Sequence, residues 1–416
     1  MELSSASWCY PKIEQRADEM VEFVSALCRI PAVSPLSGGC GEVERADFVL
    51  TRAAEFKPSE VRVLTVADEA VPGGCRKNLV LRWSGAGTEG RRIVFLLHLD
   101  TVGAGDRSAW STDPFTPVRI GDRLYGLGVE DNAQDIASVL YGVRTARESG
   151  AAFPCEVVAV LLAGEEEGSA KGVRHLIKEK CFFRQSDMIV VPDGGTPVGD
   201  VIEVCEKGRL LVKLTSFGSQ HHSARARSKD SAGETCARAA VRLLDVLRST
   251  SNGVDPLFCP PSSTFHVTRH ETTDCSVNTV SGRETVFLDC RLIPSEPADK
   301  ILAAIQHEIS SLCTDLGVHI EATTVRNEPA TANPDGNPAV LQLLDCSIRQ
   351  VLGVQPHLRG SGSGSVAAFL RLAGFNAVVW CRKHQMAHMP NEYIDVANLV
   401  ADAKVFATVV LTAPIC

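Results

Sequence analysis

Histidine and carboxylate side chains stand at five separate places in this 416-residue sequence, and side chains of these types can bind metal ions. The candidate metal ligands are His98, Asp131, Glu166, Asp193 and His388. Nitrogen and oxygen ligands without thiolate favour zinc, cobalt or manganese. Two such ions about 3.5–4 Å apart can activate water and polarise a carbonyl group, and hydrolysis of an amide bond needs both. The sequence therefore predicts a metal-dependent hydrolase.

Two neighbours of these ligands extend the predicted site. Asp100 is separated from His98 by one residue. In an extended segment both side chains lie on one face, so Asp100 can accept a hydrogen bond from the imidazole and orient it. Glu165 stands beside Glu166 in a run of three glutamates that follows an apolar stretch. Three adjacent carboxylates repel one another unless a cation or a shared proton relieves them.

Each of these residues also has an ordinary structural interpretation. An isolated His-x-Asp is more often a histidine satisfied in the core. Asp131 lies in a glycine-containing loop, where a helix cap explains it equally well. Asp193 stands between proline and glycine, as turn residues often do, and His388 could be a loop histidine. It is less plausible that all of these explanations hold together at successive strand ends.

The elements that must position these residues are predicted from the apolar pattern. Short runs rich in Val, Ile and Leu alternate with stretches of helical spacing, which is typical of an α/β fold with a mostly parallel sheet between helices. The predicted strands are 92–97, 156–163, 188–191 and 377–380. Ligands of open α/β sheets bind at the carboxyl ends of strands, so the residues that follow these strands should converge at one edge.

The middle of the chain has a different order of elements. Residues 208–324 read as strand, helix, strand, strand, helix and strand, which predicts a ferredoxin-like β-α-β-β-α-β unit. We interpret it as a domain inserted between two parts of a catalytic domain, residues 1–207 and 325–416.

Composition excludes several classes of partner. The formal net charge of -8 argues against nucleic acid, and no apolar run approaches the ~20 residues of a membrane-spanning helix. The first thirty residues lack a secretory core. The 15 cysteines are scattered without a C-x-x-C pair, which favours reduced thiols. We therefore expect a soluble, cytoplasmic protein with neither a membrane nor a nucleic-acid partner.

With these residues assembled, the sequence resembles the co-catalytic zinc peptidase and deacylase family. That family includes acetylornithine deacetylase, succinyl-diaminopimelate desuccinylase, aminoacylase and glutamate carboxypeptidases, and the chain looks most similar to the desuccinylase-like branch. The resemblance covers nearly the whole chain. It is carried by HLDTV at 98–102, WSTDPF at 110–115, YGLGVEDN at 125–132, GEEEGS at 164–169, PDGG at 192–195, QHHSA at 220–224, NTVSG at 278–282, LDCRLIP at 288–294 and AHMPNEYI at 387–394.

The resemblance implies a role for each candidate ligand. His98 and Asp193 would hold one metal ion, and Glu166 and His388 the other. Asp131 would bridge the two ions, and a cis peptide bond would join Asp131 to Asn132. Glu165 would be the general base, and Asp100 would orient His98. Each subunit would bind two divalent ions, expected to be zinc, with cobalt or manganese as alternatives.

The resemblance also implies that the insert is a lid and dimerisation domain of a homodimer. His222 would reach the partner subunit's site, and Asn278 and Arg291 would bind the substrate's carboxylate. Ser363 stands in a late loop where the family often has Gly-Gly-Thr-Asp, and it is a further candidate substrate contact. The expected reaction is hydrolysis of an N-acyl amino acid, as in deacetylases and desuccinylases. The alternatives are a dipeptidase or carboxypeptidase and, more remotely, a catalytically silent binding protein.

Overall fold

The computed structural model describes residues 6–86, 90–179, 182–273, 276–332 and 338–412. The chain divides into two units. Unit 1 comprises Met1–Val204, Pro334–Leu358 and Ser365–Cys416, and unit 2 comprises Cys205–Asn333 and Arg359–Gly364. Unit 2 spans the 208–324 segment and adds a short return loop that contains Ser363. Its role as a lid and dimerisation domain stays a prediction.

The regular elements alternate along most of the chain. The helices are α1 (Cys9–Gln15), α2 (Ala17–Cys28), α3 (Val43–Arg52), α4 (Gln134–Arg147), α5 (Val173–Lys178), α6 (Ala232–Thr250), α7 (Ala298–Leu316), α8 (Pro338–Leu352), α9 (Val366–Leu372) and α10 (Val396–Thr412). The strands are β1 (Glu60–Ala67), β2 (Cys75–Trp83), β3 (Arg92–His98), β4 (Val118–Ile120), β5 (Arg123–Tyr125), β6 (Glu156–Leu162), β7 (Met188–Gly195), β8 (Val201–Glu206), β9 (Gly208–Phe217), β10 (His221–His222), β11 (Thr264–Thr272), β12 (Thr279–Val280), β13 (Arg283–Leu292), β14 (His319–Glu328), β15 (His357–Ser361), β16 (Ala377–Cys381) and β17 (Tyr393–Asp395).

The large sheet has the order β1-β2-β6-β3-β7-β16-β8-β15. Strands β6, β3, β7 and β16 pair in parallel, as predicted. The pairs β1–β2, β2–β6 and β16–β8 are antiparallel. The sheet is therefore mixed, with its parallel strands at the centre, and the predicted α/β class is confirmed.

The central strands are apolar at nearly every position because both faces of the sheet are covered. All seven residues of β3 are buried. Val94 and Leu96 belong to an apolar cluster that includes residues of α5 and α9. On the opposite face, the ring of Phe95 lies 5.3 Å from that of Phe406 in α10. A strand between two helical layers thus reads as a continuous apolar run.

Unit 2 contains a four-stranded sheet with the order β11-β13-β9-β14, and its neighbouring strands are antiparallel. Counted within this sheet, the strand order is 2-3-1-4, and the helices α6 and α7 complete the predicted β-α-β-β-α-β sequence. Alternate residues of β9 point into the core, where Leu210 and Val212 join Leu243 of α6 and Ile305 of α7 in one cluster. The predicted ferredoxin-like order is confirmed.

No helix within the described ranges is long and apolar enough to cross a lipid bilayer.

Candidate metal centre

The five candidate ligands lie in unit 1, near the carboxyl ends of neighbouring parallel strands. They are His98 at the end of β3, Asp193 near the end of β7, Glu166 after β6, His388 after β16, and Asp131 just before α4. Local structure explains this placement. Each buried strand runs out of apolar residues at the same edge of the sheet, and polar side chains follow there.

The ligands form two groups of three that share Asp131. The groups are His98, Asp131 and Asp193, and Asp131, Glu166 and His388, and in each group the ligand atoms lie within 4.8 Å of one another. Asp131 directs Oδ1 toward His98 Nε2, at 3.0 Å, and Oδ2 toward His388 Nε2, at 3.4 Å. One carboxylate therefore offers a different oxygen to each group.

The donor spacing fits metal ions. Two donors that each lie about 2.1 Å from a tetrahedral ion are roughly 3.4 Å apart. Glu166 Oε1 lies 3.1 Å from His388 Nε2, and Asp193 Oδ1 lies 3.9 Å from His98 Nε2. Each group offers one imidazole nitrogen and two carboxylate oxygens, which suits the zinc, cobalt or manganese expected from the sequence.

Asp100 has a wider role than the sequence predicts. His98 Nδ1 lies 3.1 Å from the Asp100 carbonyl oxygen and 3.6 Å from its carboxylate Oδ1. The carboxylate itself accepts hydrogen bonds from the backbone N–H groups of Glu165, at 2.9 Å, and Glu166, at 3.0 Å. Donation from Nδ1 leaves Nε2 free to bind a cation. Asp100 therefore positions both the imidazole and the turn that carries two glutamates.

The three consecutive glutamates have different surroundings. Glu167 accepts hydrogen bonds from Ser34 Oγ at 2.5 Å and Arg76 Nη2 at 2.6 Å, so its carboxylate is used structurally. Glu166 faces His388. The pKa of Glu165 is raised well above its ordinary value, first by burial and then by the nearby carboxylates of the site, although His98 opposes the shift. A carboxylate with a raised pKa is suited to accept a proton near neutral pH.

Asn132 connects the segments that carry the ligands. The Asp131–Asn132 peptide bond is cis. Asn132 Oδ1 accepts a hydrogen bond from the His98 backbone N–H at 3.3 Å, and Nδ2 donates to the Pro192 carbonyl at 2.7 Å and to Asp135 at 2.8 Å. This one side chain thereby links the Asp131 segment to β3 and β7.

Two buried glutamates connect the Asp131 segment to the His388 loop, and neither role was predicted from the sequence. Glu392 accepts hydrogen bonds from the backbone N–H groups of Gly128, Glu130 and Asp131 at 2.7–3.0 Å. Glu130 in turn accepts from backbone N–H groups of the His388 loop at 2.5–3.1 Å. Both glutamates lie inside conspicuous motifs, and that position was the available signal.

Lys383 is a further residue whose place beside the ligands was not predicted from the sequence. Its Nζ lies 2.9 Å from Asp193 Oδ1, 3.4 Å from Asp131 Oδ1 and 3.7 Å from Asp135 Oδ2, and the side chain is 6% exposed. Burial alone would lower the pKa of Lys383, but these carboxylates outweigh it and raise the pKa well above its ordinary value. Its position between a buried strand and a candidate metal ligand was the available signal in the sequence.

The remaining predicted site residues lie in unit 2, where they form two pairs. The exposed His222 is in β10, which pairs with β12, and the Ser223 backbone N–H donates to the Asn278 carbonyl at 2.9 Å. Arg291 Nη1 donates to the Gly362 carbonyl at 3.1 Å, next to Ser363. The Ser363 hydroxyl lies 3.1 Å from that of Ser361. Unit 2 thus brings His222 to Asn278 and Arg291 to the Ser363 loop.

His388 is one of the residues that line a cavity of about 740 Å³ in unit 1. Two segments form most of its wall, one near Ser37 and Cys40 and the other running from Val102 to Arg107, and Phe115 also lines it. A volume of this size suits a small organic molecule.

Comparison with known proteins identifies relatives along nearly the whole chain. The sequence pattern of Peptidase family M20/M25/M40 matches residues 94–412. An uncharacterised metallohydrolase of Methanocaldococcus jannaschii is 31% identical over 405 residues, which cover 94% of this chain and 98% of that protein. A succinyl-diaminopimelate desuccinylase of Halorhodospira halophila is 28% identical over 325 residues, covering 77% of this chain and 82% of the relative.

A solved structure supports the same fold. Human carnosine dipeptidase 1 superposes with a TM-score of 0.76 and 16% sequence identity, over 98% of both chains. At this level of identity the likeness concerns the fold alone.

Proposed function

Because the chain belongs to Peptidase family M20/M25/M40 and is a metallohydrolase, we propose that it hydrolyses the amide bond of an N-acyl amino acid. Two divalent metal ions and the general base Glu165 would carry the reaction. The observation that supports this most directly is Asp131, whose two carboxylate oxygens face two separate groups of ligands. A single-metal site would not need a carboxylate shared in this way.

The proposed division of labour follows from the contacts. His98 and Asp193 would bind one ion, Glu166 and His388 the other, and Asp131 both. When bound, the ions supply activation of a water molecule and polarisation of the substrate carbonyl. We expect both ions to be zinc, with cobalt or manganese as alternatives.

Glu165 would move the proton. It would take a proton from the attacking water as the oxygen adds to the carbonyl carbon, and it would return that proton to the leaving nitrogen when the C–N bond breaks. The hydrogen bonds from its backbone N–H and that of Glu166 to Asp100 support a fixed position for this side chain. Asp100 is thus proposed as a positioning residue.

The substrate class rests on the relatives and on the cavity. One relative is named a succinyl-diaminopimelate desuccinylase, and the cavity beside His388 would accommodate a small acyl or amino-acid group. Arg291, with Asn278 and Ser363, is proposed to bind the substrate's carboxylate, since a guanidinium forms bidentate contacts with such groups. His222 is proposed to contact the substrate in the partner subunit of a homodimer.

A cytoplasmic location is part of the proposal. None of the cysteines in the described segments forms a disulfide bond. This number of thiols outside disulfides fits a reducing compartment.

A substrate panel tests the proposal. Metal-depleted protein would be reconstituted with zinc, cobalt or manganese and offered N-acetyl amino acids, N-succinyl amino acids and dipeptides, with release of free amine as the readout. We expect the N-acyl compounds to be cleaved and a chelator to abolish turnover. Cleavage of dipeptides alone would make the deacylase assignment wrong. Absence of both bound metal and turnover would favour a catalytically silent binding protein.

A further inference from the structure

We propose that Lys383 makes the His98–Asp131–Asp193 group the weaker of the two metal positions, so that the two ions bind in a fixed order. The inference rests on the proposed two-metal function. The ammonium group of Lys383 lies 2.9 Å from Asp193 Oδ1 and 3.4 Å from Asp131 Oδ1.

The contacted oxygens are the ones that serve the first group. Asp131 Oδ1 and Asp193 Oδ1 both face His98 Nε2, at 3.0 and 3.9 Å. An ion bound there would use the same two oxygens that receive the ammonium group. Carboxylate oxygens have two lone pairs each, so the lysine could stay bound beside the ion or be displaced by it. Repulsion opposes the ion in the first case, and loss of two charge-assisted contacts opposes it in the second.

Within the described ranges, no comparable cation contacts the second group. Glu166 Oε1 and Asp131 Oδ2 both face His388 Nε2, at 3.1 and 3.4 Å. In the described part of the chain, neither of these oxygens forms an ion pair with lysine or arginine. The two groups offer the same donor types, yet among the described residues only the first has a lysine or arginine in contact with its ligand oxygens. The second group should therefore fill first.

Lys383 is held in place by its surroundings. The side chain is 6% exposed, and Asp135, which is fully buried, lies 3.7 Å from the ammonium group. Asp135 also accepts a hydrogen bond from Asn132 at 2.8 Å. Because a buried carboxylate near the ammonium stabilises its charge, Lys383 has little freedom to turn away into solvent. Its effect on the first group is therefore built into the fold.

Titration of metal-depleted protein with Co²⁺, followed by calorimetry and visible absorption, tests the inference. We expect two unequal binding steps in the wild type. His388→Ala should remove the tight step, and His98→Ala the weak one. Lys383→Met should tighten the weak step by on the order of tenfold or more and leave the tight step nearly unchanged.

Matched variants separate this effect from a general one. Lys404→Met removes the same charge from a lysine that pairs with Glu14, and it should change neither step. Lys383→Arg keeps the charge and should keep the order. If Lys383→Met does not fold, the double variant Lys383→Met with Asp135→Asn removes the buried pair together and should show the same tightening.

The possible failures are distinguishable. A weak step unchanged in folded Lys383→Met protein, or a wild type in which His98→Ala removes the tight step, would overturn the role of Lys383. One ion bound by the wild type and two by Lys383→Met would support the inference in its extreme form. One ion bound by both proteins would instead contradict the two-metal function.

Discussion

At the scale of single residues, neighbouring glutamates of one sequence run have different environments. Glu165 and Glu166 are positioned through their backbone N–H groups by Asp100, whereas the Glu167 carboxylate binds Arg76. Burial and nearby carboxylates raise the pKa of Glu165. Identical side chains therefore differ in chemistry because of what they contact.

Glu165→Gln should reduce kcat by about 10²-fold or more while metal content is retained, because the variant loses the proton acceptor but no ligand. The measurements are kcat and metal content after reconstitution. Glu167→Gln is the matched control, and it should retain turnover while losing thermal stability through its contact with Arg76. Full activity in Glu165→Gln would exclude it as the base.

Removal of individual ligands should change metal stoichiometry in a characteristic pattern. His98→Ala and His388→Ala should each weaken the binding of one ion, because each histidine belongs to one group. Asp131→Ala should weaken both, because both groups share it. Metal content after dialysis at a fixed free metal concentration checks this. An Asp131→Ala protein that still binds two ions would rule out a bridging role.

At the scale of elements, parallel strands and one buried helix surround the site. Four of the five candidate ligands lie near the carboxyl ends of β3, β6, β7 and β16 or in the loops that follow these strands. Behind them, Asp402 of α10 is fully buried and accepts one hydrogen bond, from the Arg382 backbone N–H at 2.9 Å. Burial raises the pKa of Asp402 to about 7.

Asp402→Asn should therefore stabilise the protein at alkaline pH. A carboxyl group with a raised folded pKa favours folding fully only below its unfolded pKa of about 3.9, and this stabilisation is lost as the pH rises through about 7. Above that pH, the variant should gain about 2 kcal/mol. This is less than the pKa shift alone implies, because the amide leaves one atom unpaired at the position of Asp402 Oδ1, which has no hydrogen-bond partner among the described residues.

Thermal midpoints at pH 8 and pH 5, with metal content held constant, measure this effect. The variant should melt at a higher temperature than the wild type at pH 8, and the difference should shrink at pH 5. An equal difference at both pH values would mean that ionisation of Asp402 is not the cause.

At the scale of the whole molecule, the proposed dimer makes a prediction that neither unit makes alone. His222→Ala and Glu165→Gln homodimers should each be nearly inactive, and mixing them under conditions that exchange subunits should restore part of the activity. In a mixed dimer, one site would combine an intact Glu165 with the partner subunit's intact His222.

Activity of the mixture against time measures subunit exchange and complementation together. A mixture of Glu165→Gln with His98→Ala is the control, because each of these changes disables the site of the subunit that carries it. Since neither subunit of that mixture has an intact catalytic unit, no recovery is expected. Recovery there, or none with His222→Ala, would argue against a histidine supplied across the dimer.

The sequence by itself determined the kind of chemistry and the order of the elements. Apolar runs such as that of β3 predict buried strands because helices cover both faces, and the polar residues that follow them predict one edge of the sheet. The alternating burial of β9 likewise marks a sheet with one covered face. These signals can be read locally, because the order of apolar and polar residues within one strand reflects which of its faces are covered.

Only the tertiary structure decided how the side chains divide the work. Lys383 lies 190 residues from Asp193 in sequence, and Glu392 lies 264 residues from Gly128. No local pattern carries such contacts, because a carboxylate can meet a lysine or an N–H group from any part of the chain. The different partners of the two Asp131 oxygens also depend on where His98 and His388 lie in space. The candidate ligands could therefore be predicted from the sequence. The unequal surroundings of the two ligand groups could be found only in the folded chain.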